Sequence, residues 1–121
     1  MPSGLLLSDD LLFASRITGE ARALGLTVTS VRSLEQLYDL AHREAPSCVL
    51  LDLAFPRLDL PDLFRRLSEA SHPPPRVVAY GSHVDAESLR AARSVGCDPV
   101  LPRSKFVEEL PRALPQWLAN E

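Results

Sequence analysis

Charged side chains stand where apolar runs stop. "LLLSDD" ends on Asp9 and Asp10, and "CVLLDLA" buries Asp52 between Leu51 and Leu53, with Ala54 two residues on. "VVAYGSH" leads into Gly81, Ser82 and His83, and "VLPRSK" into Arg103 and Ser104. A carboxylate placed in an apolar run costs several kcal/mol, in order-of-magnitude terms, unless it is paired or emerges at an edge. Acids gathered at one edge would repel one another unless a cation stood between them. A hard divalent ion such as Mg²⁺ suits oxygen ligands and keeps some of its own waters. A guanidinium is the other answer the chain offers, at Arg103.

The elements that must position these groups alternate in period. Leu5–Leu7, residues 26–31, Cys48–Leu51, Arg76–Tyr80 and Val100–Leu101 are apolar runs of strand length, the second alternating with Thr and Ser as an edge strand does. Between them lie helical patterns: Ala14, Ile17, Ala21 and Leu24, stopped by Gly25; Leu34, Leu37 and Ala41, capped by Ser33; and a short helix opened by Pro61 and Asp62, with Leu63, Phe64 and Leu67 inward. Asp85 caps a fourth helix that stops at Gly96, and Ser104 caps a fifth whose seam is Phe106, Leu110, Ala113 or Leu114, and Trp117. Pro111 and Pro115 fall inside that seam, so the last helix is expected to be kinked or split. A βα unit repeated five times predicts an α/β fold with an open parallel sheet, helices on both faces and strands one, three and four at the centre. In such sheets the working site lies beyond the carboxyl ends of the strands, which gathers Asp9, Asp10, Asp52, Gly81, Ser82 and Arg103 in one place.

Composition narrows the function classes. With 121 residues, 45% hydrophobic and 24% charged, the chain is expected to form a single domain over residues 1–121. A net charge of −3 and no Lys/Arg run give no footprint for nucleic acid. No apolar stretch is long enough to span a bilayer, and the start lacks a basic leader, which points to the cytoplasm. Cys48 and Cys97 show no CxxC spacing and read as buried reduced thiols. His83 reads as a solvated loop residue, His42 and His72 as surface residues, and Trp117 as a core or interface anchor. No Gly-rich phosphate loop follows the first strand, which argues against a nucleotide binder or an enzyme of this fold.

From about Gly4 to Leu114, "LLLSDD", "VLLDLAFPRLDL" and "SVGCDPVLPRS" close strands in an order that resembles the receiver domain of response regulators in bacterial two-component systems. The resemblance implies a flavodoxin-like sheet of order 2-1-3-4-5. It also implies Asp52 as phospho-acceptor, and Mg²⁺ held by Asp9, Asp10, Asp52 and the Ala54 carbonyl. Arg103 stands where receivers place a lysine that pairs with the acceptor. A histidine kinase or another signalling protein is the implied partner, with a homodimer as a second mode of association. No catalysis of the chain's own and no output domain are expected, so signalling would pass through a surface built from the fourth helix, fifth strand and fifth helix.

The sequence departs from the pattern at two places. Receivers carry Thr or Ser at the end of the fourth strand; counting back from Arg103 lands on Gly81, and Ser82 is the next residue with a hydroxyl. The loop before that strand varies in length, so spacing does not choose between them. Arginine replaces lysine at Arg103, and Ser104 stands where a proline follows in receivers. These departures keep a second reading open: a pseudo-receiver that is not phosphorylated and serves as a constitutive interaction or dimerisation module. A wholly inert site, with Asp10 capping the first helix and Asp52 paired to Arg103, is the structural alternative.

Overall fold

A computed structural model describes residues 2–119. The predicted βα repeat is present throughout: β1 (Ser3–Leu7), α1 (Leu11–Ala23), β2 (Thr27–Val31), α2 (Leu34–Glu44), β3 (Cys48–Asp52), α3 (Leu60–Ala70), β4 (Arg76–Gly81), α4 (Ala86–Val95), β5 (Val100–Pro102) and α5 (Arg103–Leu118). All strands are parallel, in the order β2-β1-β3-β4-β5. Strands β1, β3 and β4, almost wholly buried, take the centre, because helices cover both their faces. The wetter β2 and the three-residue β5 form the edges.

Alternation along the strands splits the core in two. Leu5, Leu7, Val49, Leu51, Val77 and Ala79 pack with α2, α3 and α4. Leu6, Leu50, Val78 and Tyr80 face the other way, onto Ile17 of α1 and Phe106, Leu110 and Trp117 of α5. Asp52 continues the row of Cys48 and Leu50, and Tyr80 the row of Val78, so both end on the α1/α5 side.

Four helices begin on side chains that accept a backbone N–H three residues on: Asp10 from Phe13, Ser33 from Gln36, Asp59 from Asp62 and Asp85 from Ser88. α4 stops at Gly96, whose φ of +117° suits glycine.

Three expectations about α5 are corrected. It is one helix rather than two, and Pro111 and Pro115, a turn apart, are exposed rather than in the seam. The carbonyls that lose partners to these prolines therefore lie on the wet side of the helix, while Phe106, Leu110, Leu114 and Trp117 keep the dry side continuous. The helix starts at Arg103 without a side-chain cap, so Ser104 lies inside its first turn.

Cys48 and Cys97 are unbridged and buried, and burial pushes their thiols up to about 12 and about 11, which keeps them protonated and inert near neutral pH. Trp117 is a core residue, and His42 and His72 are exposed. Among the described residues no helix is long and apolar enough to cross a membrane.

Candidate functional site

At the carboxyl ends of the strands lies an open cavity of about 590 Å³. Asp9 and Asp10 line it after β1, Asp52 and Ala54 at β3, Gly81 and Ser82 at β4, and Arg103 at the start of α5. Every site residue expected from the sequence is thus on one rim. Tyr80, His83 and Ser104 complete the wall.

Asp52 is 3% exposed, yet its charge is not left unanswered. Ser8 Oγ donates to Oδ2 at 2.8 Å, and the Ala54 backbone N–H donates to Oδ1 at 2.9 Å. Two hydrogen bonds to a carboxylate offset much of its desolvation and fix the plane of the group. Ser8 itself is fully buried, and its oxygen accepts the Asp10 backbone N–H at 3.1 Å. Its position follows from register: Leu7 pairs with Leu51, so the next residue of the first chain stands beside Asp52. Sequence reasoning missed Ser8 because it counted acids. The signal was there, in that Ser8 and Asp52 occupy equivalent places at the ends of neighbouring apolar runs.

Arg103 does not pair with Asp52, as both the receiver-like and the inert readings had it. Its guanidinium reaches Asp10 Oδ2 at 2.9 Å and lies 4.1 Å over the Phe13 ring. Asp10 Oδ1 accepts the Phe13 N–H at 3.1 Å and so caps α1. The Phe13 amide first, and then Arg103, hold the Asp10 carboxyl below the usual carboxylate range. The acidic pair thus divides its work: Asp10 ties α1 to α5, while Asp9 stays exposed on the rim.

At the end of β4 the structure adds a residue to the choice between Gly81 and Ser82. Asp52 pairs with Tyr80, and Gly81 with Pro102. Gly81 lines the cavity as backbone, and a Cβ there would come within 3.3 Å of the Leu53 side chain. The Ser82 hydroxyl accepts the Val84 N–H at 3.3 Å in the exposed loop. The side chain across from Asp52 on its own face is Tyr80, fully buried between Phe13 and Phe106. His83 is exposed at the mouth, and Asp85 caps α4.

The resemblance implies Mg²⁺, and the donor set can be weighed against it. Among the described residues no three of His, Cys, Asp and Glu are grouped to hold a metal. Mg²⁺ needs only one or two carboxylates, because it keeps several waters. Asp10 has one oxygen on the Phe13 amide and the other on Arg103, and each of them, like the oxygens of Asp52, keeps lone-pair capacity beyond that hydrogen bond. Asp9, Asp10 and Asp52 supply carboxylates on the same wall as Ala54, a hard-oxygen set of the right chemistry.

The model of the response regulator receiver domain matches residues 5–114. The chain belongs to this family. No curated protein matches the sequence. Among solved structures, a response regulator receiver protein from Burkholderia phymatum is 21% identical, with a TM-score of 0.78 over 98% of this chain and 95% of that one. The beryllofluoride-activated NtrC4 receiver domain, a dimer in solution, is 16% identical with a TM-score of 0.77, over 97% of this chain and 99% of that one. The receiver domain of Ssk1 from Saccharomyces cerevisiae, crystallised with the histidine phosphotransfer protein Ypd1, is 14% identical with a TM-score of 0.78, over 97% of this chain and 88% of that one. At such identities these likenesses speak for the fold. Receiver domains are signalling domains that work by phosphorylation and protein contact, commonly with Mg²⁺, and this receiver domain has the family's architecture from β1 to α5.

Proposed function

We propose that this receiver domain signals through contact with partner proteins and takes a phosphoryl group on Asp52 from a phosphohistidine donor. The observation that carries the reading is the Asp52 carboxylate itself, oriented by Ser8 and the Ala54 amide at the wall of an open cavity. Each oxygen keeps lone-pair capacity beyond its one hydrogen bond. In the transfer an Asp52 oxygen forms a bond to phosphorus as the P–N bond to the donor imidazole breaks. The imidazole leaves with that electron pair, and an acyl phosphate remains on Asp52. A Mg²⁺ ion held by Asp9, Asp10, Asp52 and the Ala54 carbonyl would neutralise charge on the transferred group. Arg103 and Ser82 are the rim groups that can face the phosphoryl oxygens. The product adds about two negative charges beside the Arg103–Asp10 pair, which is enough to disturb it and the junction of α1 with α5.

A second reading, the unphosphorylated interaction module, draws support from the same pair. Asp10 with Arg103, and Ser8 with Asp52, pair off among the groups of the rim itself. One experiment separates the two: treatment with a small phosphoryl donor such as acetyl phosphate, with Mg²⁺ or with a chelator, followed by intact mass. Phospho-acceptance predicts the gain of one phosphoryl group in the wild type and none in Asp52→Asn. An unlabelled wild type leaves the interaction-module reading standing.

A further inference from the structure

We propose that the Tyr80 hydroxyl is the hydrogen-bond donor that meets the group carried by Asp52, and that the aromatic column behind it conveys the state of the site to Trp117. The proposal rests on Asp52 being the phospho-acceptor, and it assigns a residue that the sequence pattern passed over.

Tyr80 is fully buried, and among the described residues its hydroxyl is the one buried side-chain polar atom with no hydrogen-bond partner. A hydroxyl left so costs about 1–3 kcal/mol, which native chains tolerate where the group has another task. Tyr80 lies directly across from Asp52 in the β3–β4 ladder and lines the cavity. Ser8 stands close to its hydroxyl without the geometry of a hydrogen bond, and the charges of Asp52, Arg103 and Asp10 act on it. Without a ligand these are already engaged: Ser8 with Asp52, and Asp10 with Arg103. A phosphoryl group on Asp52 would bring new acceptor oxygens into this corner. Burial first, and then the Asp52 charge, hold the phenol well above its ordinary range, so it is present as an O–H donor.

The ring has nowhere to swing. Phe13 lies 5.2 Å from it on one side, and Phe106 is stacked at 4.5 Å and 30° on the other. Phe106 is in turn stacked on Trp117 at 5.6 Å and 15°. A hydrogen bond drawn at the Tyr80 hydroxyl therefore acts on a packed column that runs from the cavity into the C-terminal half of α5. Close-packed rings pass a displacement on rather than absorb it.

Trp117 is the only tryptophan, so its fluorescence reports this end of the column. The experiment follows phosphoramidate labelling by intact mass and Trp117 emission together, in the wild type, Tyr80→Phe and Asp52→Asn. Tyr80→Phe keeps the ring, and because it deletes an unpartnered hydroxyl its urea midpoint should equal or exceed that of the wild type. It should label about tenfold more slowly, the usual weight of one hydrogen bond to a charged group, and lose the emission change that accompanies labelling. A labelled wild type with a Tyr80→Phe variant of equal rate and equal emission change overturns the proposal and leaves phospho-acceptance standing. An unlabelled wild type overturns both. Slower labelling with the emission change intact overturns the relay to Trp117, and a clear loss of stability in Tyr80→Phe overturns the premise that the hydroxyl is unpartnered.

Discussion

Asp52 shows how a buried acid is made tolerable by neutral donors. Its answer comes from a hydroxyl and a backbone amide, while the nearby guanidinium serves a different acid. Ser8→Ala would leave Asp52 Oδ2 without its donor at a site 3% exposed, and the loss should be about 1–3 kcal/mol, read as a lower urea midpoint. In the Asp52→Asn background the same change should cost less, because a neutral amide gains less from the serine than a carboxylate does, and a double-mutant cycle measures the difference. The acids and Arg103 were legible in the sequence, since charged residues at the ends of apolar runs stand out. Ser8 and Tyr80 were not, because a serine and a tyrosine in such runs have ordinary structural uses, and only the register of β1, β3 and β4 puts them beside Asp52.

Among the elements, the helices followed their local signals closely. Ser33 and Asp85 cap where the sequence places caps, and Gly96 stops α4 where a left-handed turn is needed. α5 departed from its local signal. Two interior prolines argue for a break, but both sit on the exposed face, where water can serve the freed carbonyls and the buried seam holds the helix in register. Proline costs about 3 kcal/mol against alanine inside a helix, and alanine returns up to about 1 kcal/mol of chain entropy to the unfolded state, so Pro111→Ala should stabilise by about 2 kcal/mol in denaturant unfolding. A null effect would mean that the backbone of α5 is already adapted to proline.

The whole molecule is one sheet with a core on each face, and neither core can form without the sheet between them. Trp117 belongs to the α1/α5 core, whereas the far-ultraviolet signal of the helices draws on both cores. The two signals should therefore trace a single urea transition. Leu50→Ala, at a fully buried position of the central strand, should lower both midpoints together by about 2–5 kcal/mol of stability. Separate transitions would show that the two faces unfold independently.

The sequence by itself determined the βα alternation, the central strands, the caps of α2 and α4 and the rim on which the acids meet, because these follow from period, hydrophobicity, capping chemistry and the topology rule for parallel sheets. The tertiary structure alone decided which partner each charged group takes and which β4 residue faces Asp52. Those choices depend on pairing between strands far apart in the chain, and there a shift of one residue turns a side chain to the opposite face.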